Sequence, residues 1–164
     1  MRANAPYITQ VERLETALEA EPPVQMMVCG SLARMRLAEA RLLEHEGVYA
    51  VGISPRERIH GAEVALHRTE YPERDLCILD ILPAGCSKGS ALLRHAADRG
   101  LAPADILAIG DNWNDVSMLE IAGQAVVMAN APEDLKLLAI ERGWTIGLSN
   151  EQDGVAAAIE AAFQ

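Results

Sequence analysis

Residues 107-LAIGDNWNDVSMLE-120 decide how the rest of the chain is read. An apolar run ends at Gly110. Asp111 and Asp115 follow, four positions apart, with Asn112 and Asn114 between them. The run 105-DILAIG-110 predicts a buried strand, and 114–122 predicts a helix. In open α/β sheets ligands bind beyond the carboxyl ends of the strands. Both acids are therefore candidates to face one small volume. Each also has a plainer reading, Asp111 as a helix N-cap and Asp115 as a favourable first-turn charge.

Outward from this stretch the C-terminal half is regular. A helix is expected from about Lys88 to Arg99, with Ser87 as N-cap and Gly100 just beyond its end. After the acid loop come strand 125-AVVM-128, helix 132–142, strand 144-WTIGL-148 and helix 153–163. Pro132 suits the first position of its helix, and Glu133 and Asp134 suit its first turn. Helix–strand alternation implies parallel strands joined by helical crossovers, and the apolar strand cores imply cover on both faces. The N-terminal half is less regular. It predicts a helix over 10–21 stopped by Pro22-Pro23, a buried strand at 24-VQMMVC-29 and a helix over about 32–46 closed by Gly47. A strand at 48-VYAVGIS-54 follows, then antiparallel strands at 63–71 and 76–82 around Pro72-Glu73-Arg74-Asp75. A boundary is expected near 82-LPAG-85, dividing a mixed α+β segment, 1–82, from an alternating α/β segment, 83–164.

Composition narrows the function classes. The chain has 164 residues, half of them hydrophobic and only 4% aromatic, which suits helices packed on a buried sheet. Its net charge of −10 disfavours nucleic acid and anionic membranes as partners. No apolar run reaches the length of a membrane span, and the first ten residues lack the basic-then-apolar layout of a signal peptide. Cys29, Cys77 and Cys86 form no C-x-x-C pair. They read as free thiols, small buried hydrophobes in a reducing cytoplasm.

Two nearby carboxylates repel unless a cation lies beside them. Lys88, in 86-CSKGSALL-93, is one candidate, at a helix N-terminus whose free N–H groups suit an anion. Mg²⁺ is the other, because it prefers carboxylate oxygens and keeps several waters. Together the parts suit a phosphate bound with Mg²⁺. Lys88 alone would be an ordinary surface lysine, so only the combination argues for chemistry. The P-loop, dinucleotide-binding and nucleophile-elbow motifs are absent. His45, His60, His67 and His95 lack metal-ligand spacing.

The segments S87-K88-G89-S90-A91-L92 and G110-D111-N112-W113-N114-D115-V116-S117-M118-L119 resemble the haloacid dehalogenase (HAD) superfamily, most nearly its Cof-like sugar-phosphate phosphatase branch. V127-M128-A129-N130-A131 and D153-G154-V155 resemble that branch's closing segments. The resemblance covers about 76–164 and is faint over 1–75. It implies a HAD-like Rossmannoid parallel sheet, of which 83–164 would be the C-terminal half, with 1–82 a partial α/β cap. It implies a Mg²⁺-dependent phosphatase acting on small phosphorylated metabolites through an aspartyl-phosphate. Lys88 would neutralise the phosphate and Asn114 would contact it. Asp111 would bind Mg²⁺, with Asn112 lining the metal site, and Asp115 would orient Lys88 and the metal's waters.

The departure is at the nucleophile. The family's D-x-D strand ends in the attacking aspartate, and none of the eight aspartates here (75, 80, 98, 105, 111, 115, 134 and 153) forms such a pair. Ser31 after 24-VQMMVCG-30 mimics the family's second motif, but too little chain separates it from Lys88 for a whole cap. The front of the cap and the N-terminal half of the catalytic domain are therefore expected to be missing, and the chain alone to be inactive. Strand 105–110 would then expose an edge, favouring pairing with a second copy or a partner, or poor stability. The alternative is a degenerate, non-catalytic module that binds phosphate and Mg²⁺, or a partner protein. A response-regulator-like receiver fits less well, because its lysine follows its acids and Lys88 precedes them.

Overall fold

A computed structural model describes residues 10–13, 15–16, 23–54 and 59–163. The helix expected over 10–21 falls largely outside the described residues. Among the described residues, seven strands and five α-helices follow in the order β1 (Met26–Gly30), α1 (Leu32–Leu42), β2 (Val48–Ala50), β3 (Val64–Tyr71), β4 (Leu76–Pro83), α2 (Lys88–Asp98), β5 (Leu107–Gly110), α3 (Val116–Leu119), β6 (Gln124–Val127), α4 (Glu133–Arg142), β7 (Thr145–Ile146) and α5 (Gly154–Ala162). They build an α/β fold around two sheets.

The first sheet has the order β1-β4-β3-β2. β3 and β4 are antiparallel, from Val64 opposite Pro83 to Tyr71 opposite Leu76, as the turn chemistry between them predicts. β1 runs antiparallel to β4, and β2 runs parallel to β3. Side chains alternate across the sheet. Leu66 and Leu79 pack with Ala50 on one face, and Ala65 packs with Tyr49 and Val51 on the other. β1 is not the buried strand its apolar run predicts. It lies at the sheet's edge, with Met27 59% and Val28 39% exposed. Because β1 belongs to this sheet, Ser31 does not stand beside the acid loop's strand. Its hydroxyl caps nothing in α1, and Asp75 supplies the cap instead, accepting from Leu32 N–H at 3.1 Å. α1 ends at Leu42, short of Gly47.

The second sheet is parallel, in the order β5-β6-β7, with α3 and α4 as the crossovers. Its core joins Ala108, Val127, Trp113, Val116, Leu119, Leu135 and Ala139. Leu119 and Leu135 are fully buried, each contributing roughly 1.5–3 kcal/mol through lost apolar exposure. Cover on both faces holds for β6 but not for β7, whose two residues are exposed. Pro132 stands one residue earlier than expected, at the N-cap of α4, with Glu133 and Asp134 in the first turn. Among the described residues, no helix is long and apolar enough to cross a membrane.

Candidate active site

The C-terminal end of β5 and the N-terminus of α2 meet, and two close approaches make this possible. A Cβ on Gly110 would stand 2.5 Å from the Cβ of Asp115, so the strand must end in glycine for Asp115 to fold back against it. A Cβ on Gly89 would stand 2.2 Å from the carbonyl oxygen of Ser117, so only glycine lets α2 approach α3 this closely. Gly89 N–H donates to the Ser117 hydroxyl at 3.1 Å, tying the two helices together. Ser87 caps α2 as its sequence predicts. Its hydroxyl accepts from Ser90 N–H at 3.0 Å, and the Ser90 hydroxyl accepts from Ser87 N–H at 3.0 Å.

Lys88 and Asp115 are brought together directly. The Lys88 ammonium donates to Asp115 Oδ1 and remains about half exposed, while Asp115 is buried. Asp115 Oδ2 accepts from two backbone N–H groups, Asp111 at 3.1 Å and Asn112 at 3.2 Å. One carboxylate therefore ties the lysine to the loop that carries the other acid. Asp111 is half-buried at the end of β5. Its Oδ2 accepts from Asn130 Nδ2 at 3.0 Å, and Asn130 Oδ1 in turn accepts from Asn150 N–H at 2.9 Å. The other Asp111 oxygen makes no hydrogen bond among the described residues. The Asn114 side chain, half-buried, likewise makes none there.

Asn112 is not brought to Asp111. It is 7% exposed, and both ends of its amide are taken by the backbone of Glu70 on β3. Beside it the structure holds a buried charge cluster that sequence reading missed. Glu70, with its side chain fully buried, takes the Arg36 guanidinium in two bonds of 2.7 Å. Arg68 donates to Glu39 at 2.7 Å and lies 4.8 Å over the Trp113 ring. Burial pushes the Glu39 carboxyl above its usual range even though Arg68 opposes the shift. Charged residues in a strand read as solvated from sequence. The spacing of Arg68 and Glu70, two positions apart in β3, puts them on one face but does not say which face is buried.

The Lys88–Asp115–Asp111 arrangement sits inside a stretch of recognised family. Residues 66–159 match the sequence profile of the haloacid dehalogenase-like hydrolases. The chain belongs to that family. A Cof-like relationship is in keeping with proteins similar to it. It is 44% identical over 79 residues to the 5-amino-6-(5-phospho-D-ribitylamino)uracil phosphatase of Bacillus subtilis, a match covering 48% of this chain and 26% of that protein. It is 37% identical over 108 residues to the chloroplastic endoribonuclease YBEY of Arabidopsis thaliana, covering 66% of this chain and 18% of that protein. Among solved structures, a haloacid dehalogenase-like hydrolase from B. subtilis superposes with a TM-score of 0.63 at 25% identity, covering 92% of this chain and 45% of that one. The chain thus spans about a quarter of one of these curated relatives, less than a fifth of the other, and under half of that structure.

Proposed function

We propose that this chain carries the phosphate- and Mg²⁺-binding wall of a phosphatase for small phosphorylated metabolites of the sugar-phosphate class. The reading rests on one observation above all. Lys88, from a helix N-terminus, is paired to Asp115, whose other oxygen holds the backbone of Asp111 at a strand's carboxyl end. The phosphatase relative in B. subtilis supports the substrate class. On this reading 1–82, with β1–β3 and all of β4 but its last residue, form part of an α+β cap, and 83–164 form half of the catalytic core. Of the three cysteines only Cys77 is buried as expected, while Cys29 and Cys86 are exposed; all three are free thiols, which suits a cytoplasmic location.

The donor set fits a hard divalent ion. Asp111 offers one carboxylate oxygen that is not hydrogen-bonded among the described residues, on a half-buried side chain. Such an ion needs only one or two protein carboxylates when water and phosphate complete its shell. Bound there, Mg²⁺ would supply charge neutralisation on the phosphoryl oxygens. Lys88 uses one donor on Asp115 and keeps its remaining N–H groups for phosphate. Asp115 holds the lysine in place. Asn114 has its amide N–H groups available for a phosphate oxygen. None of these groups attacks phosphorus, and no D-x-D pair exists in the sequence, so the chain alone should turn over no ester.

Two assays with Mg²⁺ test this. Equilibrium dialysis should show inorganic phosphate retained in a Mg²⁺-dependent way that Asp111→Ala removes, and absence of that binding would sink the reading. p-Nitrophenyl phosphate should stay intact, and robust turnover abolished by Asp111→Ala would overturn the claim of inactivity. The missing D-x-D pair also favours a second reading, a non-catalytic module for phosphate and Mg²⁺ or for a partner. Mixed with a D-x-D-bearing strand, the first reading gains turnover and the second does not.

A further inference from the structure

Asn112 sits between the two acids, yet its amide points into the other sheet. Its Oδ1 accepts from Glu70 N–H at 2.8 Å and from Trp113 N–H at 3.0 Å, and its Nδ2 donates to the Glu70 carbonyl at 2.7 Å. An amide laid across the N–H and C=O of a single residue reproduces one rung of a β-ladder. The acid loop is thereby docked on the C-terminal end of β3.

Glu70 is well placed to serve as the anchor. Its carboxylate is fully buried and receives Arg36 through a two-pronged contact, with Arg68 at 3.3 Å. Arg68 in turn covers Trp113, the residue after Asn112. Arg36 also reaches Asp134 on α4 at 3.5 Å, so the same cation touches both halves of the chain. The loop is held from two sides. Asp115 takes the amides of Asp111 and Asn112 from within, and Glu70 takes the Asn112 side chain from β3.

We propose that Asn112 is a positioning residue rather than a metal ligand: through the Glu70 backbone it sets loop 111–115 so that Asp111 meets the divalent ion. This rests on the phosphate–Mg²⁺ reading above. Groups that orient metal ligands without touching the metal commonly matter 10- to 100-fold in affinity.

The test uses the whole chain, with Mn²⁺ in place of Mg²⁺ so that water-proton relaxation reports binding. Amide exchange at Asp111 and Asn112, followed by NMR, reports the loop itself. Asn112→Asp separates the two roles. A ligand changed to aspartate would hold Mn²⁺ as tightly or more tightly. A positioning amide changed to aspartate sets a carboxylate against the Glu70 carbonyl, and affinity should fall by roughly 10-fold or more. Exchange at Asp111 and Asn112 should speed up in the same variant while exchange in β4 stays slow. Arg36→Lys, on a half-exposed side chain, keeps the charge and loses the fork. It should shift both readouts in the same direction, less strongly, and it decides the matter if Asn112→Asp does not fold. Unchanged Mn²⁺ affinity, or unchanged loop exchange, in the deciding variant overturns the proposal. If the parent chain binds no Mn²⁺, or binds it regardless of Asp111→Asn, the functional reading fails instead, and loop exchange alone decides whether Asn112 positions the loop.

Discussion

At Gly110 the space where a side chain would begin is already filled by Asp115. A Cβ there would meet the Asp115 Cβ at 2.5 Å and its carboxyl carbon at 3.0 Å. Asp115 cannot move without loss, because one oxygen holds Lys88 and the other holds two backbone N–H groups. Gly110→Ala should therefore cost about 1–3 kcal/mol, the usual range for overpacking, as read from urea unfolding. It should also weaken Mg²⁺-dependent phosphate binding, because the displaced carboxylate drags Lys88 and the Asp111 amide with it. An unfolding free energy equal to that of the parent would mean Asp115 is not held where the structure puts it. The pairing of Lys88 with Asp115, 27 positions apart, was legible through the family resemblance, and each position carries its own local mark. Lys88 opens a helix after a serine cap, and Asp115 leads into a helix four residues after the strand-end Asp111. The partner of Asn112 could not be read this way. Glu70 lies 42 positions away, on a strand whose charges carry no sign that they are buried.

Helices and paired strands could be read wherever period and punctuation agreed. α2 begins at its serine cap, and β3 and β4 pair around their turn. β1 was misread because 24-VQMMVC-29 is apolar without alternation, and such a run does not distinguish a central strand from an edge. β3 carries a further consequence in His67. The ring is buried, and Nε2 donates to the Cys86 carbonyl at 2.8 Å, two residues before Lys88. Burial is the main force lowering its pKa below the ordinary 6.5. The Cys86 carbonyl and nearby Asp80 oppose this, and Lys88 adds to it. A base whose folded pKa is depressed gives stability that is complete above its unfolded value and lost as pH falls through the folded one. Glu39 has the opposite sign. Its carboxyl is raised above 4.5, chiefly by burial, so its contribution is present below that value and lost as pH rises through its folded value. Comparing His67→Gln with the parent cancels the Glu39 contribution. Between pH 7.5 and 5.5 the parent should lose more unfolding free energy than His67→Gln, by urea titration at each pH. Equal slopes would show that His67 does not titrate against the fold.

For the whole molecule, the question is what covers the open sides of two small sheets. β5 ends the parallel sheet, with β6 on one side and no strand paired on the other among the described residues. β1 ends the other sheet in the same way. Edges like these present unpaired N–H and C=O groups, and proteins usually blunt them with charge, proline or cover. Here β1 offers Met27 and Val28 with no charged residue from Val24 to Ser31. Apolar side chains also stand exposed on α4 (Leu137 and Ile140, each 66%) and along α5 (Val155 and Ile159). Exposed apolar area of this kind marks either an interface or an aggregation liability. The net charge of −10 opposes association of like chains, but its reach is about 10 Å at 0.1 M salt, so raising the salt should relieve it. The purified chain should therefore sediment as more than a monomer or bind the dye ANS, and association should increase with salt. Light scattering after size exclusion, at 0.05 and 0.5 M salt, measures the first, and ANS fluorescence measures the second. A monodisperse monomer at both salt concentrations, dark to ANS, would mean that the open edges and faces are tolerated by the isolated fold.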